Sequence, residues 1–103
     1  MPDQLPGCPI ARTAMILGSR WTVLVIRELL EHGPRRFQDL QDGLPGIAPN
    51  TLSARLKMLE QAGIVERVFY ARHPPRADYR LTGKGERMRG ILGAMRRWGL
   101  DHG

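Results

Sequence analysis

The sequence contains little of what disulfide frameworks, metal sites and membrane spans require. Its 103 residues include one cysteine, Cys8, and three histidines that are far apart, so no Cys-rich or His-rich metal motif is present. No apolar run approaches the roughly 20 residues that cross a bilayer. Residues 1–4 lack the basic and apolar regions of a secretory signal. We therefore expect a cytoplasmic chain with no metal, no membrane span and a reduced cysteine.

The residue patterns of common active sites are also missing. No glycine motif that cradles phosphate is present, and the Gly-Lys-Gly run at 83–85 indicates only a helix start. No histidine lies near Cys8 in the sequence to activate its thiol as a nucleophile. We therefore expect no enzyme activity and no cofactor.

Positive charge is in excess. Lysine and arginine number 16 against 10 acidic residues, which gives a formal net charge of +6 and a pI near 10.7. Such a basic domain is a candidate for binding a polyanion, and double-stranded DNA is the partner we expect. An anionic membrane surface is an alternative partner. A GC-rich genome, which encodes arginine readily, would also explain why Lys57 and Lys84 are the only lysines.

The order of the periodic segments predicts one domain over residues 1–103, with a core of about 8–100. Helical periodicity predicts helices over 10–17, 20–31, 36–42 and 49–62, and strands follow over 64–70 and 77–81. A last helix runs from 83 to about 98 or 100. Two helices joined by a short turn and followed by a hairpin make a winged helix-turn-helix. The predicted fold class is α+β, mostly helical, with an added helix at each end.

The helix over 49–62 has one face for the core and one suited to DNA. Leucines at 52, 56 and 59 have the spacing of an inward stripe. The opposite side carries small polar groups and long cations, and acids are absent until Glu60. Such a face can enter a major groove, although an ordinary solvated helix face is the alternative. We assign base contacts to Asn50, Ser53 and Arg55, and phosphate contacts to Thr51 and Lys57.

Cationic residues flank this helix in the predicted fold. Pro74 and Pro75 stiffen the hairpin tip over 71–76, and Arg76 at its end suits a minor groove, where negative potential attracts arginine. Arg35 and Arg36 precede the first helix of the motif and are expected to contact backbone phosphates. The alternative at both places is surface charge without a ligand.

The last helix carries an apolar stripe that a chain of this size hides with difficulty. The first helix of a twin molecule would cover the stripe, and Gly90 and Gly93 would allow close approach. A twofold dimer would also place two reading helices about one DNA turn, ~34 Å, apart. The alternative is that the stripe completes the core of the single chain. The expected interface is Ile10, Met88, Ile91, Leu92, Met95 and Trp98.

Cys8 is expected at the N-terminus of the first helix. Unpaired helix amides, and Arg12 one turn later, would stabilise its thiolate, which is the form that oxidants attack. With one cysteine per chain, a disulfide forms only between chains or with a small thiol. The alternative is a small structural residue buried at the dimer interface.

Several spaced motifs together resemble the HxlR-type regulators, relatives of MarR repressors, over residues 8–99. The motifs are CPIA at 8–11, GSRWT at 18–22, IRELL at 26–30, GPRRF at 33–37, LPGI at 44–47, LSARL at 52–56, PPRADYRLT at 74–82 and WG at 98–99. The resemblance implies a bacterial transcription factor that dimerises through its terminal helices. It also implies that a cysteine at the position of Cys8 often senses oxidants or electrophiles such as quinones and aldehydes.

The chain departs from the pattern of this family at two places. Ala48 stands where the family usually has Ser or Thr, which removes an expected side-chain cap of the reading helix. Ser19-Arg20 replaces the commoner Gly-Lys before Trp21. The sequence predicts a DNA-binding regulator that responds through Cys8. Two alternatives stay open: a small-molecule regulator with a structural Cys8 and a pocket between Trp21, Phe37 and the last helix, or a winged-helix protein–protein module.

Overall fold

The computed structural model describes residues 7–103, which form a helical core and one small antiparallel sheet. The element order is as predicted, and most boundaries lie within two residues of the predicted ones. The elements are α1 (Pro9–Leu17), α2 (Arg20–His32), α3 (Phe37–Gly43), α4 (Pro49–Gln61), β1 (Val65–Arg72), β2 (Pro75–Leu81), α5 (Gly83–Glu86) and α6 (Arg89–His102). The predicted fold class, a mostly helical winged helix-turn-helix with a helix added at each end, is therefore confirmed.

The core forms where α2 and α4 pack against each other. Each fully buried aliphatic side chain contributes ~1.5–3 kcal/mol to folding. The central buried residues are Val25, Ile26 and Leu29 of α2 with Leu52, Leu56 and Leu59 of α4. Because the predicted leucine stripe of α4 is held in the core, the opposite face of that helix is turned away from the chain.

The turn between α3 and α4 is anchored in the core. Leu44 and Ile47 are buried, and the amide of Ile47 donates a hydrogen bond of 3.1 Å to the carbonyl of Leu44. Gly46 between them has a φ of +92°, which residues with a Cβ rarely adopt. The turn therefore fixes the position of α4 relative to α3.

The hairpin is longer than predicted. β1 and β2 pair from Val65–Leu81 to Arg72–Pro75, so the turn is confined to His73 and Pro74. The strands extend because backbone pairing continues past the expected ends, and a proline is tolerated as the first residue of a strand.

A third backbone segment joins this sheet and was not predicted. Arg35, just before α3, forms an antiparallel bridge with Tyr79 of β2, in which the two backbones exchange hydrogen bonds of 2.9 and 2.7 Å. The sheet therefore holds the start of the helix-turn-helix beside the wing. The pair is far apart in sequence, so no local pattern could reveal it.

The last helix was predicted as continuous and this was wrong. It is divided into α5 and α6 by a turn at Arg87 and Met88. Nearby glycines lower the helix propensity, and Gly85 packs so closely against the Ile64 carbonyl that an added Cβ would collide with that oxygen. The helix also continues past the expected end, to His102.

Candidate nucleic-acid interface

Helix α4 turns an uncharged and cationic surface outward. Asn50, Ser53 and Lys57 are exposed, as predicted from the leucine stripe on the opposite side. Pro49 occupies the first turn, and the preceding Ala48 makes no side-chain cap hydrogen bond. The amides of this first turn therefore lack the hydroxyl acceptor that Ser or Thr would supply at position 48.

Thr51 and Arg55 of α4 are half-buried rather than exposed. The Nε of Arg55 is shielded from solvent and has no hydrogen-bond partner among residues 7–103. Arg55 lies at the edge of the leucine stripe, where its stem covers apolar surface. This position at the edge of the leucine stripe is the one that the sequence predicted for Arg55.

Arg35 and Arg36 lie where the helix-turn-helix meets the sheet. The side chain of Arg35 is half-buried, while Arg36 is exposed at the N-cap of α3. The carboxylate of Asp39 accepts the backbone N–H of Arg36 at 3.3 Å. The guanidinium of Arg36 lies over the ring of Tyr70 on β1, at 5.3 Å from the ring centroid.

The wing tip is exposed and cationic. Arg76 of β2 pairs in register with Ala71 and is exposed, as predicted. Arg72 is exposed at the end of β1, opposite Pro75. Arg72 lies in the predicted tip but was not among the predicted contacts, although it is a second arginine within four residues of Arg76.

The arginines of the described residues divide into those that pair with a glutamate and those that do not. Five arginines pair with glutamates at 2.9 to 3.5 Å: Arg27, Arg67, Arg80, Arg89 and Arg96. Among residues 7–103, no ion pair involves the predicted DNA-contacting cations Arg35, Arg36, Arg55, Lys57 and Arg76, nor Arg72. Arg12 and Arg97, outside this surface, also form no ion pair within residues 7–103. The cations of the predicted surface are therefore not neutralised by any acid of the described residues.

The wing is tied to α4 by a polar contact. Arg67 of β1 donates to the carboxylate of Glu60 at 2.9 Å. Beside them, burial raises the pKa of the Tyr79 hydroxyl above its usual value of 10.0, while Arg67 opposes this rise. The contact joins β1 to the C-terminal half of α4.

The segment after the wing holds the C-terminal end of α4. Thr82 caps α5 by accepting the amide of Gly85 at 3.1 Å, and its hydroxyl donates to the carbonyl of Gly63. Lys84 donates from Nζ to the carbonyl of Ala62 at 2.8 Å. The Gly-Lys-Gly run thus does more than start a helix, because its lysine satisfies a carbonyl at the end of α4.

Helices α1 and α6 expose apolar side chains. Ile10 and Trp98 are 80% and 65% exposed, and Ile91 and Met95 are also exposed. Leu92 is half-buried against the core. Met15 of α1 and Leu100 of α6 are also exposed and were not predicted.

Met88 differs from the other predicted interface residues. It is 7% exposed and belongs to the core of the chain itself. The turn between α5 and α6 directs it inward, so at this position the alternative of a monomer core residue is correct. An added Cβ at Gly90 or Gly93 would meet no atom within 4 Å, so space is open beside both.

A groove of about 560 Å³ lies between α2 and α6. Its apolar lining includes Leu24, Leu30 and Leu92, and Arg96 of α6 pairs with Glu31 of α2 at 3.2 Å on its rim. Neither Trp21 nor Phe37 lines the groove, so the groove is not the predicted small-molecule pocket.

Cys8 is the N-cap of α1 and is exposed. Its backbone carbonyl accepts the amide of Arg12 at 3.0 Å, and Pro9 is the first residue of the helix. The thiol is therefore accessible at a helix N-terminus, as predicted.

One group of potential metal ligands occurs among residues 7–103, at Glu28, Glu31 and His32. Glu28 already pairs with Arg27 at 3.0 Å, and Glu31 pairs with Arg96. Both carboxylates are thus already neutralised by arginine. Within the part of the chain that the structure describes, no helix has the length and apolar character that a membrane crossing needs.

Comparison with known proteins gives a consistent result. Residues 16–103 match the HxlR-like helix-turn-helix family. An HTH-type transcriptional regulator of Synechocystis, sll1512, is 43% identical over 94 residues, which cover 91% of this chain and 69% of that protein. These regulators confirm the prediction that the chain is not an enzyme.

Solved structures of related regulators share the fold. The reduced form of YodB from Bacillus subtilis has a TM-score of 0.77 and 37% identity, with 90% of this chain and 91% of that chain covered. The redox regulator HypR in its reduced form has a TM-score of 0.85 and 30% identity, with 91% and 92% covered. With the helix-turn-helix, the wing and these relatives in agreement, the chain belongs to the HxlR-like helix-turn-helix family of transcriptional regulators.

Proposed function

We propose that this regulator binds operator DNA as a homodimer in the cytoplasm, with α4 in the major groove and the wing tip near the minor groove. The observation that carries the proposal is the surface around α4, which has unpaired cations and no exposed acid over residues 49–59. DNA attracts such a surface because each bound cation releases counterions from the phosphates.

The residue roles follow from reach and chemistry. Asn50 and Ser53 are short donors and acceptors on the exposed face of α4, which suits base edges. Arg55 extends from the edge of the same helix toward a base. Thr51, Lys57, Arg35 and Arg36 would hold backbone phosphates, and Arg76 would enter the minor groove.

A homodimer is supported by the apolar face of α6. Trp98, Met95 and Ile91 are exposed together on that helix, although large side chains of this kind are usually buried. Ile10 on α1 is exposed as well and is a suitable partner for this face in a twofold arrangement.

A redox response through Cys8 is supported by its exposed position and by the relatives. YodB has been solved in reduced, diamide-treated and quinone-bound forms, and HypR in reduced and oxidised forms. In this chain, two Cys8 thiols from two molecules would form one disulfide and transfer two protons and two electrons to the oxidant.

The groove between α2 and α6 supports a second candidate, regulation by a small molecule. A volume of about 560 Å³, lined by apolar side chains and by charged ones such as Arg27 and Glu31, falls within the usual size range of ligand pockets. In that case Cys8 would be structural. Isothermal titration of the Cys8→Ser protein with candidate ligands, followed by DNA binding, would separate this response from a thiol response.

Fluorescence anisotropy with a labelled duplex from upstream of the protein's own gene tests the DNA proposal. We expect the logarithm of the binding constant to fall by ~0.9 per phosphate contact for each logarithmic unit of salt. Arg55→Ala and Arg76→Ala should weaken binding, while Arg89→Ala, which removes an arginine paired with Glu86, should not. No binding at low salt would contradict the proposal and favour a protein–protein module.

A further inference from the structure

We propose that Tyr70 is a positioning residue of the DNA interface, whose ring holds the Arg36 guanidinium in place to meet a backbone phosphate. This inference rests on the proposed DNA binding. Tyr70 was not among the predicted contact residues. Its ring gives a physical reason for the position of the Arg36 side chain.

The first support is the contact itself. The Cζ of Arg36 lies 5.3 Å from the centroid of the Tyr70 ring, within the range of a cation–π interaction. Arg35 pairs with β2, and β2 pairs with β1, so the Arg36 side chain must cross β2 to reach a ring on β1. A long and flexible side chain is thereby held against the sheet instead of moving freely in solvent.

The second support is the backbone at Tyr70. Phe69 pairs with Ala77 and Ala71 pairs with Arg76, so Tyr70 is the extra residue of a β-bulge. A bulge re-aims a side chain relative to its neighbours and occurs often beside functional sites. Tyr70 is 47% exposed, so burial of its ring in the core does not explain the bulge.

The third support is the charge of Arg36. On the same strand, Arg67 lies over the ring of Phe69 at 5.7 Å, but Glu60 pairs with this arginine at 2.9 Å. Arg36 forms no ion pair with any acid among residues 7–103. Two arginines lie over aromatic rings of the wing. Glu60 neutralises Arg67, so Arg36 is the one whose charge is not balanced by an acid of the described residues.

The expected effect of losing the ring is modest and specific. Tyr70→Leu should weaken DNA binding by about two- to five-fold, the loss that corresponds to an exposed cation–π contact. Tyr70→Phe keeps the ring and should bind like the unmodified protein. Because a phosphate contact carries no base information, the loss should be equal for an operator duplex and for a duplex of unrelated sequence.

The test is a double-mutant cycle measured by anisotropy over a range of salt concentrations. The variants are Tyr70→Leu, Arg36→Ala and the double variant, each confirmed as folded by circular dichroism. We expect Tyr70→Leu to have no further effect once Arg36 is absent, and Arg36→Ala to lower the salt slope by ~0.9. Phe69→Leu is the matched control and should leave the slope unchanged.

The contrary outcomes are distinct. An equal effect of Tyr70→Leu with and without Arg36 would overturn the inference, because Tyr70 would then act by itself. Equal losses from Tyr70→Leu and Phe69→Leu would also overturn it. If Arg36→Ala weakens binding and Tyr70→Leu does not, the positioning role fails while DNA binding stands. If the unmodified protein binds neither duplex, the proposed function fails and the inference fails with it.

Discussion

The ammonium group of Lys84 donates a hydrogen bond of 2.8 Å to the carbonyl oxygen of Ala62, the C-cap residue of helix α4. Beside it, the Thr82 hydroxyl donates to Gly63 and accepts the Gly85 amide. The segment that leads into α6 therefore also fixes the end of the proposed reading helix.

Thr82→Val should destabilise the protein by about 1–2 kcal/mol, because the change leaves the amide of the buried Gly85 without its acceptor while nearly preserving the side-chain volume. Urea unfolding followed by circular dichroism measures the difference. Thr82→Ser keeps the hydroxyl and is the matched control. Similar stability of the valine and serine variants would show that the cap contributes nothing.

Ser53→Glu should abolish DNA binding without unfolding the chain. Ser53 is exposed on α4, so a glutamate is tolerated there, but its charge would face phosphates across the groove. Gln61→Glu adds the same charge at the exposed C-terminal end of the helix and should have a much smaller effect. Anisotropy at low salt compares the two variants, and equal losses would count against α4 as the reading helix.

Arg76→Ala should weaken DNA binding and reduce the salt slope by up to ~0.9, since an unpaired cation is lost from the wing tip. Arg80→Ala removes an arginine from the same strand that pairs with Glu66 at 3.5 Å, and it should change the slope less. The measurement is the salt dependence of binding for both variants. A larger change from Arg80 would place the DNA contact elsewhere on the wing.

Trp98→Ala should shift the protein from dimer to monomer, at a cost of about 2 kcal/mol or more in association. Trp98 is 65% exposed in the single chain, so its removal should barely affect the core. Sedimentation velocity over a range of concentrations reports the assembly state, and Arg97→Ala on the same helix is the control. Unchanged sedimentation of the alanine variant at 98 would argue against this interface.

Treatment with diamide should release the protein from DNA only when Cys8 is present. Cys8→Ser removes the single thiol of the chain, so it should bind DNA before and after treatment. Gel shift gives the binding result, and non-reducing electrophoresis shows whether a disulfide between chains accompanies release. If both proteins bind and neither responds, Cys8 is structural and the α2–α6 groove becomes the leading effector site.

The helices and their inward faces could be predicted because these features are local. Leu52, Leu56 and Leu59 recur at helical spacing, so they predicted both the core side of α4 and its exposed side. The absence of acids before Glu60 is likewise visible in the sequence alone. The position of Cys8 at a helix start followed from the adjacent Pro9.

The remaining features depend on contacts between residues that are far apart in the sequence. The bridge between Arg35 and Tyr79 and the hydrogen bond from Lys84 to Ala62 join residues that no short window contains. The burial of Met88 was equally invisible, since its apolar side chain fits the same helical stripe as the exposed Trp98. Helical periodicity predicts which side chains share a face of a helix. Only the turn between α5 and α6, set by packing, brings Met88 into the core while Trp98 stays exposed.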